Sequence, residues 1–528
     1  MYKILITEKF SEQGRAILES DPEMSVKVIT GLPPEELGKI IGEYDALIVR
    51  SETKVNAELI AQAKGLKIIG RAGVGVDNVD VAAASHAGII VMNTPDGNTI
   101  SAAEHTMAMI LSLARNIPQA HGSMKAGKWE RSKFMGVELF GKQLGIIGLG
   151  RIGGEVAKRA RAFGMRIAGF DPFATELRAK ELDAELMSLD ELLSTSDFIT
   201  VHTPKTKETA HLIGKRELEL TKPGVRLINV ARGGLYDELA LAEAIKSGHV
   251  AGVATDVYEK EPPAPDNVLI QSDKVVVTPH LGASTTEAQE NVAISLAHQV
   301  IDALKGRVIA NAVNVPVIDP AEWEMLRPYS VLAERLGEFL VQYVEKRFSS
   351  LHIVYSGEVA ERKTKALTLA ALAAALQSAL GDNVNYVNAS LFAKERGIDV
   401  SESTSAATTA YTSLIRIEAK SNTGTHTVAG TLGASNEPRI VEIDGYRVDT
   451  EPAGNFLLFF NKDVPGILGM VATILGVAGV NIAGLSNGRR DLGGNAVTII
   501  QTDQPVPPEL VKKISSIEAL HNVREIRV

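Results

Sequence analysis

A chain of 528 residues exceeds what one compact core supports, so roughly three or four domains are expected. Its composition is that of a soluble globular protein, with 45% hydrophobic and 23% charged residues, and a formal net charge of -9 argues against a nucleic-acid partner. The absence of cysteine removes disulfides, thiolate zinc sites and cysteine nucleophiles together, and it suits a reducing, cytoplasmic setting.

The N-terminus, Met1 to Thr7, lacks the basic start and apolar core of a signal peptide and reads as a first strand. Up to about residue 97, the β-branched runs Ile4–Ile6, Ala46–Val49, Lys67–Ile69 and Ile89–Val91 alternate with amphipathic helical segments. That alternation predicts a parallel sheet covered by helices. Polar residues close these strands: Arg50-Ser51, Arg71 and Asn93. Ligands in open parallel sheets bind beyond such carboxyl ends.

An apolar helix over Ser101–Leu113 leads into a second βαβ series that runs to about residue 285, and 286–306 reads as a helix returning to the first lobe. Beyond 316, helices near 329–346 and 362–379 flank a strand, and 411–450 reads as several short strands. The most apolar stretch, Ala366–Leu380, is broken by Thr368, Gln377 and Ser378. It falls short of the roughly 20 apolar residues of a membrane span, so no membrane partner is expected. The last segments, Phe456–Phe460, Ile467–Ala478, Ile482–Ser486, Ala496–Thr502, Pro508–Ser515 and Val523–Val528, follow the order βαββαβ, a ferredoxin-like arrangement. The expected fold class is thus α/β with two Rossmann-like lobes, an α+β domain and a ferredoxin-like end. The expected divisions are 1–97 with 286–315, then 98–285, 316–452 and 453–528.

Gly148, Gly150 and Gly153 follow a β-branched strand and open an amphipathic helix. In that context the spacing predicts a dinucleotide loop: Gly148 for the tight turn, Gly150 for close approach of a pyrophosphate, Gly153 for helix packing. Asp171 ends the next strand, where a ribose-binding acid belongs, and its charge favours NAD over NADP. No metal is expected.

Three further groups each follow an apolar strand: Val230-Ala231-Arg232, Asp256 to Glu261, and Thr278-Pro279-His280. Oxidation of a secondary alcohol needs a base, a hydride acceptor and a clamp for the substrate carboxylate. His280 suits the base, Glu261 can bond its other ring nitrogen, and Arg232 offers a planar fork for a carboxylate. Asp256 is expected on the nicotinamide side of the cofactor.

These motifs, with Gly70 to Asp80, Asn93-Thr94-Pro95, Gly127 to Arg131, His202-Thr203-Pro204 and Pro279 to Thr285, resemble the D-isomer-specific 2-hydroxyacid dehydrogenases over essentially the whole chain. The likeness extends to the long branch with an intervening domain, whose substrate is 3-phosphoglycerate. It implies an NAD-dependent dehydrogenase with Arg232, Glu261 and His280 as catalytic residues. It places Val74, Gly148, Gly150, Arg151, Ile152, Gly153, Asp171, Thr203, Val230, Ala231, Asp256, Gly282 and Ala283 around NAD. Arg50, Ser51, Arg71, Gly75 and Asn98 would border the substrate, the first lobe being the substrate-binding one. Trp129 and Arg131 would reach a neighbouring subunit of a dimer or tetramer. The tail, around Asn461-Lys-Asp463-Val-Pro-Gly and Gly479-Val-Asn481, resembles the ACT regulatory domain, which implies L-serine held by Asn461, Asp463 and Asn481. Two alternatives remain open at this point: a dehydrogenase of glyoxylate or hydroxypyruvate, and a non-catalytic NAD-sensing protein of the corepressor kind.

Overall fold

The computed structural model of the chain describes every residue except 308, 310, 317, 318, 382 and 406–409. The first sheet holds β1 (Tyr2–Ile6), β2 (Met24–Val28), β3 (Ala46–Val49), β4 (Ile68–Arg71) and β5 (Ile90–Met92), parallel in the order β2-β1-β3-β4-β5. The sequence reading does not include β2. It is an edge strand with little buried surface, so its apolar signal is weak.

The helix α1 (Glu12–Ser20) is capped by Ser11, which accepts from the Gly14 amide at 3.1 Å. Two long helices follow: α2 (Thr99–Arg115), and α3 (Arg151–Ala162) within the second lobe. The helix α4 (Thr286–Leu304) then returns to the first lobe. A Cβ on Gly14 would come within 2.7 Å of Ala293, so glycine is what lets α4 lie against α1. Leu296 and Val300 of α4 join Ile4, Leu18 and Ile48 in one core, which makes the first lobe discontinuous in sequence.

The second sheet contains β6 (Gln143–Ile147), β7 (Arg166–Phe170), β8 (Ala184–Leu186), β9 (Phe198–Val201), β10 (Val225–Asn229), β11 (Val250–Thr255) and β12 (Val275–Val277). Its order is β12-β11-β10-β9-β6-β7-β8, all parallel. The chain departs to opposite sides of β6, a topological switch point that opens a crevice beyond the strand ends.

The third unit is a mixed sheet of β13 (Ser350–Gly357), β14 (Asp399–Ser405), β15 (Ser413–Ser421), β16 (Gly424–Leu432), β17 (Pro438–Ile443) and β18 (Tyr446–Thr450). Only β13 and β14 pair in parallel. Against it pack α5 (Pro320–Tyr343) and α6 (Lys365–Leu380). The sequence reading starts α5 after Pro328, a helix breaker by propensity; here that proline sits inside the helix, which begins where Asp319 caps the Ala321 amide at 2.9 Å. The apolar α6 contributes Leu367, Leu372 and Leu376 to this core. No described helix is long and apolar enough to cross a membrane.

The last unit comprises β19 (Asn455–Lys462), α7 (Ile467–Val477), β20 (Ile482–Arg489), β21 (Asn495–Thr502), α8 (Pro508–Ser515) and β22 (Leu520–Arg527). Its antiparallel sheet runs β20-β21-β19-β22. Leu457, Phe459 and Ile500 face α7 and α8, whereas Phe456, Leu458 and Phe460 join the core of the third unit. The two C-terminal units therefore share buried apolar surface.

Candidate active site

The loop between β6 and α3 leaves the first amides of the helix without a side-chain cap, a ready site for phosphate oxygens. Its three glycines differ in what requires them. Gly148 has φ +96°, and a Cβ there would lie 2.7 Å from the His202 carbonyl; a Cβ on Gly153 would lie 2.0 Å from the Gly148 carbonyl. At Gly150 nothing lies within 4 Å. The protein itself does not need glycine there, so the open space is room for a ligand. Asp171, at the end of β7, accepts from the Leu149 and Phe173 amides, both at 2.9 Å, and so holds the loop. Arg151 and Ile152 open α3, and the Arg151 guanidinium reaches Asp96 of the other lobe at 2.5 Å. The Thr203 hydroxyl is buried without a partner among the described residues. Val230 packs against Gly282, whose neighbour Ala283 is half-buried, and the Ala231 amide is held by Asn229 at 3.0 Å. The open cradle, the uncapped amides and the orphaned hydroxyl fit a dinucleotide.

On the same sheet edge stand Arg232 after β10, Glu261 after β11 and His280 after β12. The Glu261 carboxylate lies 2.7 Å from His280 Nδ1, and its other oxygen accepts from the Tyr258 amide at 3.1 Å. Burial raises the Glu261 carboxyl, but the bonds from His280 and Tyr258 outweigh it and hold it below the usual carboxylate range. His280 adopts φ +57°, a left-handed conformation uncommon outside glycine. What holds that turn is Asp256, which is 0% exposed. It accepts from the Thr278 hydroxyl at 2.6 Å and the Leu281 and Gly282 amides at 2.8 and 2.9 Å, and its own carbonyl accepts from the His280 amide at 2.8 Å. His105 of α2 adds an ion-pair contact at 3.3 Å. Burial raises Asp256, yet these donors together bring it below the ordinary range. These bonds make Asp256 the support of the His280 turn from behind.

The first lobe brings cations to the same cleft. Arg71 stands at the end of β4, and its Nη1 occupies the space where a Gly73 Cβ would be. Arg232 crosses from the other lobe, pairing through Nε with Asp77 at 3.0 Å and filling the space beside Gly75. Burial first, then the charges of Arg232 and Arg50, push Arg71 down to about 10, against the opposing pull of Asp77 and Glu8. Its Nε has no partner among the described residues. Guanidiniums converging in this way, one of them with an unpaired Nε, are suited to an anion.

Arg50 and the exposed Ser51 are carried on a loop clamped from both sides. Glu8, 7% exposed at the end of β1, accepts from the amides of Arg50, Glu52 and Thr53 at 2.8, 3.0 and 2.9 Å. Asn78 donates to the carbonyls of Arg50 and Thr53 at 2.8 and 2.7 Å. Val74 offers its carbonyl to Asn93 at 2.5 Å. Asn98, before α2, buries its Oδ1 without a partner among the described residues. With Arg71, Thr94, Thr99 and Thr203, it makes five of the nine buried side chains with an unpaired polar atom among the described residues, all from strand ends, loops or the start of α2 in the two lobes.

Two family profiles match the chain: "D-isomer specific 2-hydroxyacid dehydrogenase, NAD binding domain" over residues 107–282, and "D-3-phosphoglycerate dehydrogenase intervening domain" over 325–444. A D-3-phosphoglycerate dehydrogenase from Archaeoglobus fulgidus is 45% identical over 520 residues, 98% of each chain. One from Bacillus subtilis is 43% identical over 527 residues, covering 100% of this chain and 99% of its own. The chain belongs to the D-3-phosphoglycerate dehydrogenase family. Among solved structures, a D-lactate dehydrogenase from Aquifex aeolicus, complexed with NAD and lactic acid, superposes with a TM-score of 0.53 at 33% identity. It covers 59% of this chain and 99% of its own. A glyoxylate reductase from Paecilomyes thermophila gives 0.54 at 32% identity, over 59% and 98%.

In this member of the D-3-phosphoglycerate dehydrogenase family the C-terminal residues are disposed differently from one another. Asn461 is 3% exposed; its amide donates to the Lys462 carbonyl at 2.7 Å and its oxygen accepts from Thr498 at 2.9 Å. Its side chain is thus turned into the sheet, away from the surface that Asp463 and Asn481 share with solvent. Asp463 pairs with Arg489 at 3.0 Å, which holds its carboxyl below the usual range, and Asn481 donates to Asp503 at 2.6 Å. Glu8, Asp77, Asn78 and His105 are site residues that sequence reasoning misses. Glu8 carried a readable signal as a polar residue just beyond a strand, and Asp77 and Asn78 lie within the Gly70 to Asp80 motif, but the tasks of all four rest on contacts between segments distant in sequence.

Proposed function

We propose that the chain oxidises 3-phospho-D-glycerate to 3-phosphohydroxypyruvate with NAD, the first step of the phosphorylated route to L-serine. The observation that carries this reading is the convergence of Arg50, Arg71 and Arg232, drawn from two lobes, on a cleft whose facing strand ends carry the His280–Glu261 pair. A substrate with a carboxylate at one end and a phosphate at the other asks for such an arrangement. Arg232 holds the carboxylate bidentately, exchanging its contact with Asp77 for the substrate, and Arg50 and Arg71 take the phosphate.

Glu261 occupies Nδ1 of His280, so Nε2 is the nitrogen left to take the C2 hydroxyl proton. The ionised Glu261 then stabilises the imidazolium. NAD, when bound across the Gly148–Gly153 loop, supplies the acceptor for the C2 hydride. Closing of the lobes, with Arg151 reaching to Asp96 and Arg232 passing from Asp77 to the substrate carboxylate, excludes water from the reacting atoms. His280→Ala is expected to lose most of kcat while NAD still binds, measured by NADH formation and by nucleotide titration. Undiminished turnover in that variant sinks the assignment, and a preference for D-lactate or D-glycerate over the phosphorylated acid sinks the substrate.

The same reading assigns 1–97 with 286–315 to substrate and 98–285 to NAD, in a cytoplasmic homo-oligomer. Trp129, Met135 and Phe140, at 75%, 84% and 78% exposure, supply apolar surface for a partner subunit, and size-exclusion chromatography with light scattering separates dimer from tetramer. L-serine is assigned to Asp463 and Asn481, which would exchange Arg489 and Asp503 for its ammonium and carboxylate.

A further inference from the structure

Ser101, His105 and Met109 follow one another at every fourth residue of α2, so their side chains stand in a row on one face of that helix. All three meet the segment that carries His280. The Ser101 hydroxyl lies 2.7 Å from that of Thr285, which caps α4, and the Met109 sulfur lies 3.8 Å from the hydroxyl of Thr278, just after β12. Between them, His105 Nε2 lies 3.2 Å from the Thr278 hydroxyl oxygen and 3.3 Å from an Asp256 carboxylate oxygen. The His280 loop is thus fastened to α2 at both of its ends, Thr278 and Thr285.

The Thr278 hydroxyl carries one proton, and its 2.6 Å contact with the Asp256 carboxylate, an acceptor only, uses it. Toward His105 the Thr278 oxygen can then only accept, so Nε2 carries a hydrogen and is the donor to this pair. Burial raises the Asp256 carboxyl, and among the bonds that lower it the one from His105 comes first. Asp256 in turn gathers the Leu281 and Gly282 amides that follow His280. We infer that His105 is a positioning residue for the hydride step: its Nε2–H orients the Asp256–Thr278 pair, and that pair sets the turn that aims the His280 imidazole. The inference rests on His280 being the base, as proposed above.

The test uses the full chain and three substitutions. His105→Leu keeps apolar bulk and removes the donor, His105→Asn carries an N–H at the reach of Nδ1, and His105→Gln carries one at the reach of Nε2. The Leu and Asn variants are expected to lower kcat for 3-phosphoglycerate by about tenfold or more and to raise the isotope effect on C2-deuterated substrate, while KM and NAD affinity stay within about twofold. The Gln variant is expected to recover most of the lost kcat. Should His105→Leu fail to fold by far-ultraviolet dichroism, the comparison of Asn with Gln decides. Each substitution is repeated on His280→Ala, where it is expected to cost nothing further, because groups that act as a unit are not additive. Unchanged kcat in the Leu and Asn variants, equal kcat in the Asn and Gln variants, or a further loss on the His280→Ala background overturns the inference and leaves the base in place. Undiminished turnover in His280→Ala itself removes the base, and the inference with it.

Discussion

Replacing Asp256 by asparagine tests whether the turn carrying His280 is held by a buried charge. One oxygen accepts from Thr278 and the Leu281 amide, and the other accepts from the Gly282 amide at 2.9 Å. An asparagine keeps its single oxygen on the first side at least cost, and its amino group then faces the Gly282 N–H. One buried donor loses its acceptor, costing about 1–3 kcal/mol, and the remaining bonds lose their charge assistance. A total of roughly 2–4 kcal/mol follows, placed on a turn that already holds His280 at φ +57°. If half of that appears as misplacement of the imidazole, kcat falls by about tenfold, each 1.4 kcal/mol being one decade. The assay pairs steady-state NADH formation with urea unfolding followed by fluorescence. A variant with kcat within about twofold of the parent and an unchanged unfolding midpoint would falsify the reasoning; a drop in stability with kcat intact would show that Asp256 supports the fold but not the His280 turn.

Three other expectations follow from the same geometry. Glu8→Gln keeps one acceptor but loses the charge that gathers three amides under Arg50, so KM for the phosphorylated substrate rises by about tenfold or more while kcat and NAD affinity hold; an unchanged KM refutes the clamp. Gly150→Ala meets no protein atom and is expected to fold normally with impaired NAD binding, whereas Gly153→Ala collides with the Gly148 carbonyl and lowers the thermal midpoint as well; equal behaviour of the two variants contradicts the cradle. His202 is held neutral by burial, with its pKa lowered from 6.5 to about 4. The unfolded state therefore takes up its proton first, so stability is full above about pH 6.5 and falls as pH drops toward 4. Denaturation curves across that window, compared with His202→Asn, check the sign; a parent whose stability rises on acidification excludes it.

Much of this protein was legible in its sequence because the relevant physics is local. The glycine spacing between β6 and α3, the acid ending β7 and the apolar runs of the parallel strands each follow from short-range sterics and burial. Strand ends alone placed Arg232, Glu261 and His280 on one edge, since parallel neighbours share their carboxyl ends. The order βαββαβ was readable for the same reason.

Tertiary structure decided what depends on segments far apart in the chain. Asp256 and Asn461 are polar residues at plausible positions, and only packing reveals that the first braces the turn behind His280 and that the second bonds within the sheet. Glu8 acquires its task from a loop some forty residues later, and Asp77 from an arginine of the other lobe. Burial lowers Arg71, with the charges of Arg232 and Arg50 adding to it, and desolvation depends on what surrounds a group and not on its neighbours in sequence. The strand ends placed His280, Glu261 and Arg232 on one edge, and the packing of two lobes brought Arg50 and Arg71 to the same cleft.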